Sequence, residues 1–173
     1  MIKLKVFRHQ MQNENDLLRI IDDSWNHSGI IKRGAFGLNT ISTHAMVAGF
    51  EQTHNAFCRM ERLYAHYFAI SFDKMIPEAV VNEQVNFILN KFTSEFQLIY
   101  MIAQDFDGNR ELGIIINAIS YLNGKKFHDN NRVYEVLIKE ISEACRTDYN
   151  VQIGSGVLFA QGQSNSNCYQ TQY

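Results

Sequence analysis

Residues 97–127, QLIYMIAQDFDGNRELGIIINAISYLNGKKF, constrain the fold more than any other part of the chain. Two apolar runs flank Asp105-Phe106-Asp107-Gly108-Asn109, whose residue types tolerate the backbone angles a tight turn demands, so the stretch reads as a β-hairpin. The strands are expected near residues 96–103 and 111–121, with a further turn at Asn123-Gly124. Glu111 and Gly113 stand out, because a core strand has little use for a carboxylate or for a residue with no side chain.

The flanking sequence supplies the layers around this hairpin. Residues 2–7 alternate Ile2, Leu4 and Val6 with Lys3 and Lys5, the period of a half-exposed strand. Asn13 or Asn15 caps a helix to about Trp25 with Leu17, Leu18, Ile21 and Trp25 on its stripe. Residues 27–39 are Gly-rich and polar and read as a loop. A helix over 43–60 carries Met46, Val47, Phe50, Phe57 and Met60; residues 63–72 form a nearly apolar, central strand. Asp73 and Pro77 open a helix to about Phe92, and Asn130 caps a last one from Arg132 to about Cys145. Residues 151–160 suggest a final strand. The expected fold class is α+β, with a mostly antiparallel sheet and helices packed on one face. Residues 1–160 form one domain, and residues 161–173 a Gln/Asn/Ser-rich tail.

Composition limits the functional classes. Lys and Arg total 16 against 18 Asp and Glu, a net charge of -2, which speaks against a dedicated non-specific nucleic-acid binder but not against a local basic groove. The three cysteines, Cys58, Cys145 and Cys168, show no metal-ligand spacing, and Cys58 and Cys145 read as small core residues. No run reaches the roughly 18 apolar residues of a membrane span, and the start shows no secretory h-region, so a cytoplasmic protein without a membrane partner is expected.

Ile70-Ser71-Phe72-Asp73 ending a strand, the helix after it, and Ile114-Ile115-Ile116-Asn117 followed by Gly124-Lys125-Lys126-Phe127 together resemble a known pattern. It is that of the relaxases of plasmid and conjugative-element mobilisation, the MobA-like endonucleases of the HUH fold. The resemblance covers about residues 17–145. It implies a relaxase-like sheet, a divalent ion held by histidines on adjacent strands, and a tyrosine on the first helix that attacks a phosphate of single-stranded DNA. Residue by residue, the lone ligand histidine falls on Ala103, the His-x-His pair on Glu111 and Gly113, and the tyrosine at about Asp23. Ala and Gly supply no metal ligand, and no tyrosine precedes Tyr64. The resemblance therefore implies a degenerate member: no catalytic residues, no cofactor, and a role in binding single-stranded or hairpin DNA or other mobilisation proteins.

Lys32, Arg33, Arg110, Lys125, Lys126 and Arg132 are the candidate DNA contacts, with Trp25, Tyr121 and Phe127 as stacking partners; the same residues also suit an ordinary solvated surface. Asp105, Asp107, Glu111 and His128 are weak candidates for a magnesium or manganese site, which would make the chain a carboxylate-dependent nuclease; equally, the two aspartates are turn chemistry. His66 on its apolar strand reads as a hydrogen-bonded core or edge residue. A third possibility is a protein-binding scaffold, for example a homodimer.

Overall fold

The computed structural model describes residues 1–8, 11–58 and 63–154. In chain order the elements are β1 (Ile2–Phe7), α1 (Glu14–Trp25), β2 (Ile30–Phe36), α2 (Thr43–Ala56), β3 (Ala65–Phe72), α3 (Glu78–Thr93), β4 (Leu98–Gln104), β5 (Arg110–Asn117), α4 (Asn131–Cys145) and β6 (Tyr149–Gly154). The expected helix end at Met60, the strand residues 155–160, the tail and Cys168 lie outside the described residues.

Six strands form one sheet in the order β2-β4-β5-β3-β1-β6. Every neighbouring pair is antiparallel except β1 and β6, which run parallel with Ile2 opposite Tyr149. The chain is thus α+β with a mostly antiparallel open sheet.

The helices do not share one face, contrary to the expectation from sequence. Ile2, Leu4, Phe68, Ile70, Ile114 and Ile116 pack under α3 and α4, while Tyr67, Ala69, Ile99, Met101 and Ile115 pack under α1 and α2. The physical reason lies in β3 and β5, whose odd and even positions are both apolar: a strand so built must be covered twice. Burying each such side chain contributes about 1.5–3 kcal/mol, so neither face can be left to water.

Three helix starts follow from local chemistry. Asn13, Ser42 and Asn130 each accept a hydrogen bond from the backbone N–H three residues on, at 2.9, 3.1 and 3.0 Å, satisfying a donor that the helix itself cannot. α3 instead begins after Pro77, and Asp73 closes the preceding turn by accepting from Met75 N at 3.0 Å.

Residues 30–36, expected to be loop, form an edge strand. Lys32 and Arg33 are tolerated there because an edge has one free flank. β5 stops at Asn117 rather than Tyr121, because Asn117 turns inward. Its side chain is fully buried, accepts from His54 Nε2 at 2.9 Å and from Ile119 N at 3.1 Å, and donates to Gln97 Oε1 at 2.9 Å. Thr53 donates to the same Gln97 oxygen at 2.8 Å, so one polar network pins α2 to the end of β4 and β5. Cys58 is exposed beyond α2 with φ 52, not part of a core stripe; Cys145 packs partly against the α4 layer.

Candidate functional site

The strand registers carry the positions singled out in the sequence onto one face of the sheet. Ile30, Ala103, Glu111, Ser71, Lys3 and Asn150 are directly opposite one another on β2, β4, β5, β3, β1 and β6. One step inward, Arg33, Met101, Gly113, Ala69, Lys5 and Gln152 form a second row. Both rows lie on the face that α1 and α2 cover further along, at the end of the sheet bounded by the β4–β5 hairpin. Six strands at about 4.8 Å spacing make this strip roughly 24 Å wide.

Its centre is built from small side chains and one carboxylate. Ser71 Oγ donates to Glu111 Oε2 at 2.7 Å, and Lys5 Nζ lies 3.6 Å from the same oxygen. Gly113 is buried because Tyr67 lies across it: a Cβ built there would stand 2.9 Å from the Tyr67 hydroxyl oxygen and 3.4 Å from Met101 Cγ. Burial, and then the negative charge of Glu111, push the Tyr67 phenol far above its ordinary range, so it stays neutral. The residues present do not fit a divalent ion: Ala103 and Gly113 offer no ligand, and the Glu111 carboxylate is already engaged by a hydroxyl and an ammonium. Among the described residues, no three His, Cys, Asp or Glu are grouped to hold a metal.

The acidic positions proposed for magnesium or manganese do not converge. Asp105 closes the hairpin: its two carboxylate oxygens accept from Asn109 N at 2.8 Å and Asn109 Nδ2 at 2.9 Å. The Asn109 side-chain bond is the main cause holding Asp105 below the usual carboxylate range. Asp107 lies at the tip of the same turn. His128 lies beyond the other end of β5, a strand length of roughly 25 Å away. The backbone bonds from Asp105 N to Asn109 O and from Gly108 N to Asp105 O, with Gly108 at φ 88, are those of a tight turn.

The six candidate DNA contacts occupy several places. Arg33 sits on β2 at the margin of the strip, whereas Lys32, opposite Ile102, is directed to the other face. Arg110 turns to the opposite face and pairs with Glu78 at 3.0 Å. Lys125 and Lys126 lie in the turn beyond β5, and Arg132 in the first turn of α4, under the other face. Tyr121 donates to Thr93 O at 3.1 Å and Phe127 is buried among Phe92, Phe96 and His66, so neither stands beside the strip. Asp23 is exposed on α1, which returns the chain to the hairpin end of the sheet where β2 starts. Two strip cations were absent from the candidates read from the sequence, Lys3 and Lys5. Their alternation with Ile2, Leu4 and Val6 placed them on one strand face, but only the β1–β3 pairing brings that face to Glu111.

Beside the strip, the end of α1 and the start of β2 enclose a depression of about 400 Å³ lined by Trp25, His27, Ile30, Lys32 and Arg33 among others. The Arg33 guanidinium stands 4.8 Å above the Trp25 ring and donates to the Trp25 carbonyl oxygen. This contact depends on a bulge between Ile30 and Lys32: the extra residue brings Arg33, rather than Lys32, opposite Met101 and so onto the α1 face.

A second polar cluster lies at the other end of the molecule. Asp129 Oδ2 is 3.4 Å from His66 Nδ1 and 3.5 Å from Arg8 Nε. Burial alone would raise the Asp129 carboxyl; hydrogen bonding and charge from His66, helped by Tyr134 and Arg8, outweigh it and hold the group below the usual range.

Fold and site define a class: an α+β protein with helices on both faces of a mostly antiparallel sheet, and a small-residue strip edged by cations. No family model matches the chain, and no curated protein matches it. No helix of the described residues is long and apolar enough to cross a membrane.

Proposed function

We propose that the protein is a relaxase-like, non-cutting DNA-binding protein, an accessory of mobile-element transfer, whose single-stranded ligand crosses the strip between Arg33 and Lys3. The observation that carries this reading is the meeting of Ala103, Glu111 and Gly113 on one sheet face. These are the three positions to which the relaxase resemblance assigns ligand histidines. Lys5 Nζ lies 3.6 Å from Glu111 Oε2, so an ammonium neighbours the positions where the resemblance implies a metal. Ala103 and Ser71 of the outer row, both half-buried, leave room for a backbone beside Glu111, and Arg33 on one side with Lys3 and Lys5 on the other supply charges for phosphates. A protein of net negative charge can bind in this way only locally, which predicts modest and salt-sensitive affinity.

The test is fluorescence anisotropy with a labelled single-stranded oligonucleotide, its duplex and a neutral polymer control at low salt. Binding to the single strand, weakened by the double change Lys3→Gln/Lys5→Gln and leaving no adduct on a denaturing gel, is the expected result. If no nucleic acid is preferred over the control, the proposal fails.

A further inference from the structure

We infer that the depression between the end of α1 and the bulged start of β2 is a nucleotide subsite, which takes one base of the single strand against the Arg33–Trp25 pair. This inference rests on the sheet-face reading above and adds to it a place where one nucleotide is held.

Three observations bear on it. First, the depression, of about 400 Å³, is open and mostly polar, so a base can lie on it without being enclosed, and its lining mixes aromatic, aliphatic and cationic groups. Second, Arg33 is fixed: one planar face rests on the indole and one N–H is spent on the Trp25 carbonyl. A guanidinium so held keeps a flat, charged plane at little entropic cost, and nucleobases stack on such planes as they do on aromatic rings. Third, the bulge that places Arg33 there breaks the regular β2–β4 ladder immediately beside Ile30, whose partner is Ala103. Bulges concentrate where a side chain must be re-aimed next to a site. Without it, Arg33 would fall on the opposite face and the plate would not form.

Lys32, which precedes Arg33 on the strand, borders the depression, but its partner Ile102 belongs to the other face, so the ammonium is directed away from the Arg33–Trp25 pair. The arrangement asks for a base, not for a phosphate alone. It reads no particular base edge, so tolerance of base identity is expected.

Trp25 is the single tryptophan of the chain, which makes the subsite its own reporter. The experiment follows Trp25 emission and its protection from acrylamide while the full chain is titrated with an oligothymidylate, thymidine monophosphate and inorganic phosphate. In parallel, anisotropy follows the labelled oligonucleotide. Quenching and protection by the oligonucleotide and, at higher concentration, by the mononucleotide, but not by phosphate, are expected. Arg33→Lys keeps the charge and loses the plane; it should weaken oligonucleotide binding roughly 5- to 100-fold, the range of one base stack, without changing the salt dependence. Oligonucleotide binding with Trp25 unaffected, or with Arg33→Lys binding like the parent, would overturn the subsite and leave the sheet-face reading intact. Trp25 protected by the mononucleotide with no binding of any oligonucleotide would overturn the sheet-face reading instead. No response to either probe rejects both.

Discussion

The Tyr67 hydroxyl occupies the space that any side chain at position 113 would need, and a double-mutant cycle measures that occupancy. In Gly113→Ala the new methyl would stand 2.9 Å from the Tyr67 oxygen, about half an ångström inside ordinary contact. Tyr67 is 1% exposed and packed between α1, α2 and the sheet, so it cannot swing away. Overpacking of this kind costs about 1–3 kcal/mol. With Tyr67→Phe in place the nearest atoms become Met101 Cγ at 3.4 Å and the ring carbon Cε2 at 3.5 Å, distances of ordinary contact. Gly113→Ala is therefore expected to cost about 1–3 kcal/mol in the parent and less than half as much in the Tyr67→Phe background. Urea unfolding of the four proteins, with equal m-values as the condition for comparison, gives the coupling directly. An equal cost in both backgrounds would refute the claim that the hydroxyl fills the site, and would mean that the strand itself resists a side chain at that position.

Asn117→Ala should lower stability by about 2–4 kcal/mol, because Ile119 N loses its side-chain acceptor and His54 and Gln97 each lose a buried partner; a fall in melting temperature of roughly 5–15 °C is the readout. Asp129 governs part of the acid limb. Its folded value is depressed, so its contribution is complete above the ordinary aspartate range of about pH 4 and is lost as pH falls through the folded value. Asp129→Asn should accordingly flatten stability against pH below about 4 relative to the parent, as followed by urea midpoints, and an unchanged slope would show that His66 and Arg8 do not favour its charge.

Much of the fold was legible because the apolar period is strong where packing decides. Leu17 and Ile21, Val81 through Phe92, and Leu137 with Ile141 all point inward as their spacing requires. β2 was not legible. Lys32, Arg33 and Gly34 dilute its hydropathy, and its strand identity comes from pairing with β4, a partner about 70 residues away that no local pattern names. The two-layer covering was written in β3 and β5, but in the absence of strand order a doubly apolar strand says only that it is central. The same holds for the site. The two-residue step from Glu111 to Gly113 fixes a shared face, whereas the arrival of Lys5 and Ser71 at Glu111 depends on β1 and β3 lying beside β5. The acidic positions show the same limit: a suitable set of residue types does not tell that β5 separates Asp105 from His128 by a strand length.

The parallel pairing of β1 with β6 also says something about the order in which the sheet can be put together. β4 and β5 are joined by a turn of a few residues, whereas Ile2 and Tyr149 meet across nearly the whole described chain. Closing a loop of about 150 residues costs about 3 kcal/mol more in chain entropy than closing the hairpin. Chain statistics thus favour growth from the hairpin outward, with β6 as the last strand to seal. Until it does, β1 is an edge, its apolar side resting on the core and its lysines facing water. Charge of this kind disfavours pairing of an uncovered edge with its copies, and the same two lysines end as the charged margin of the strip.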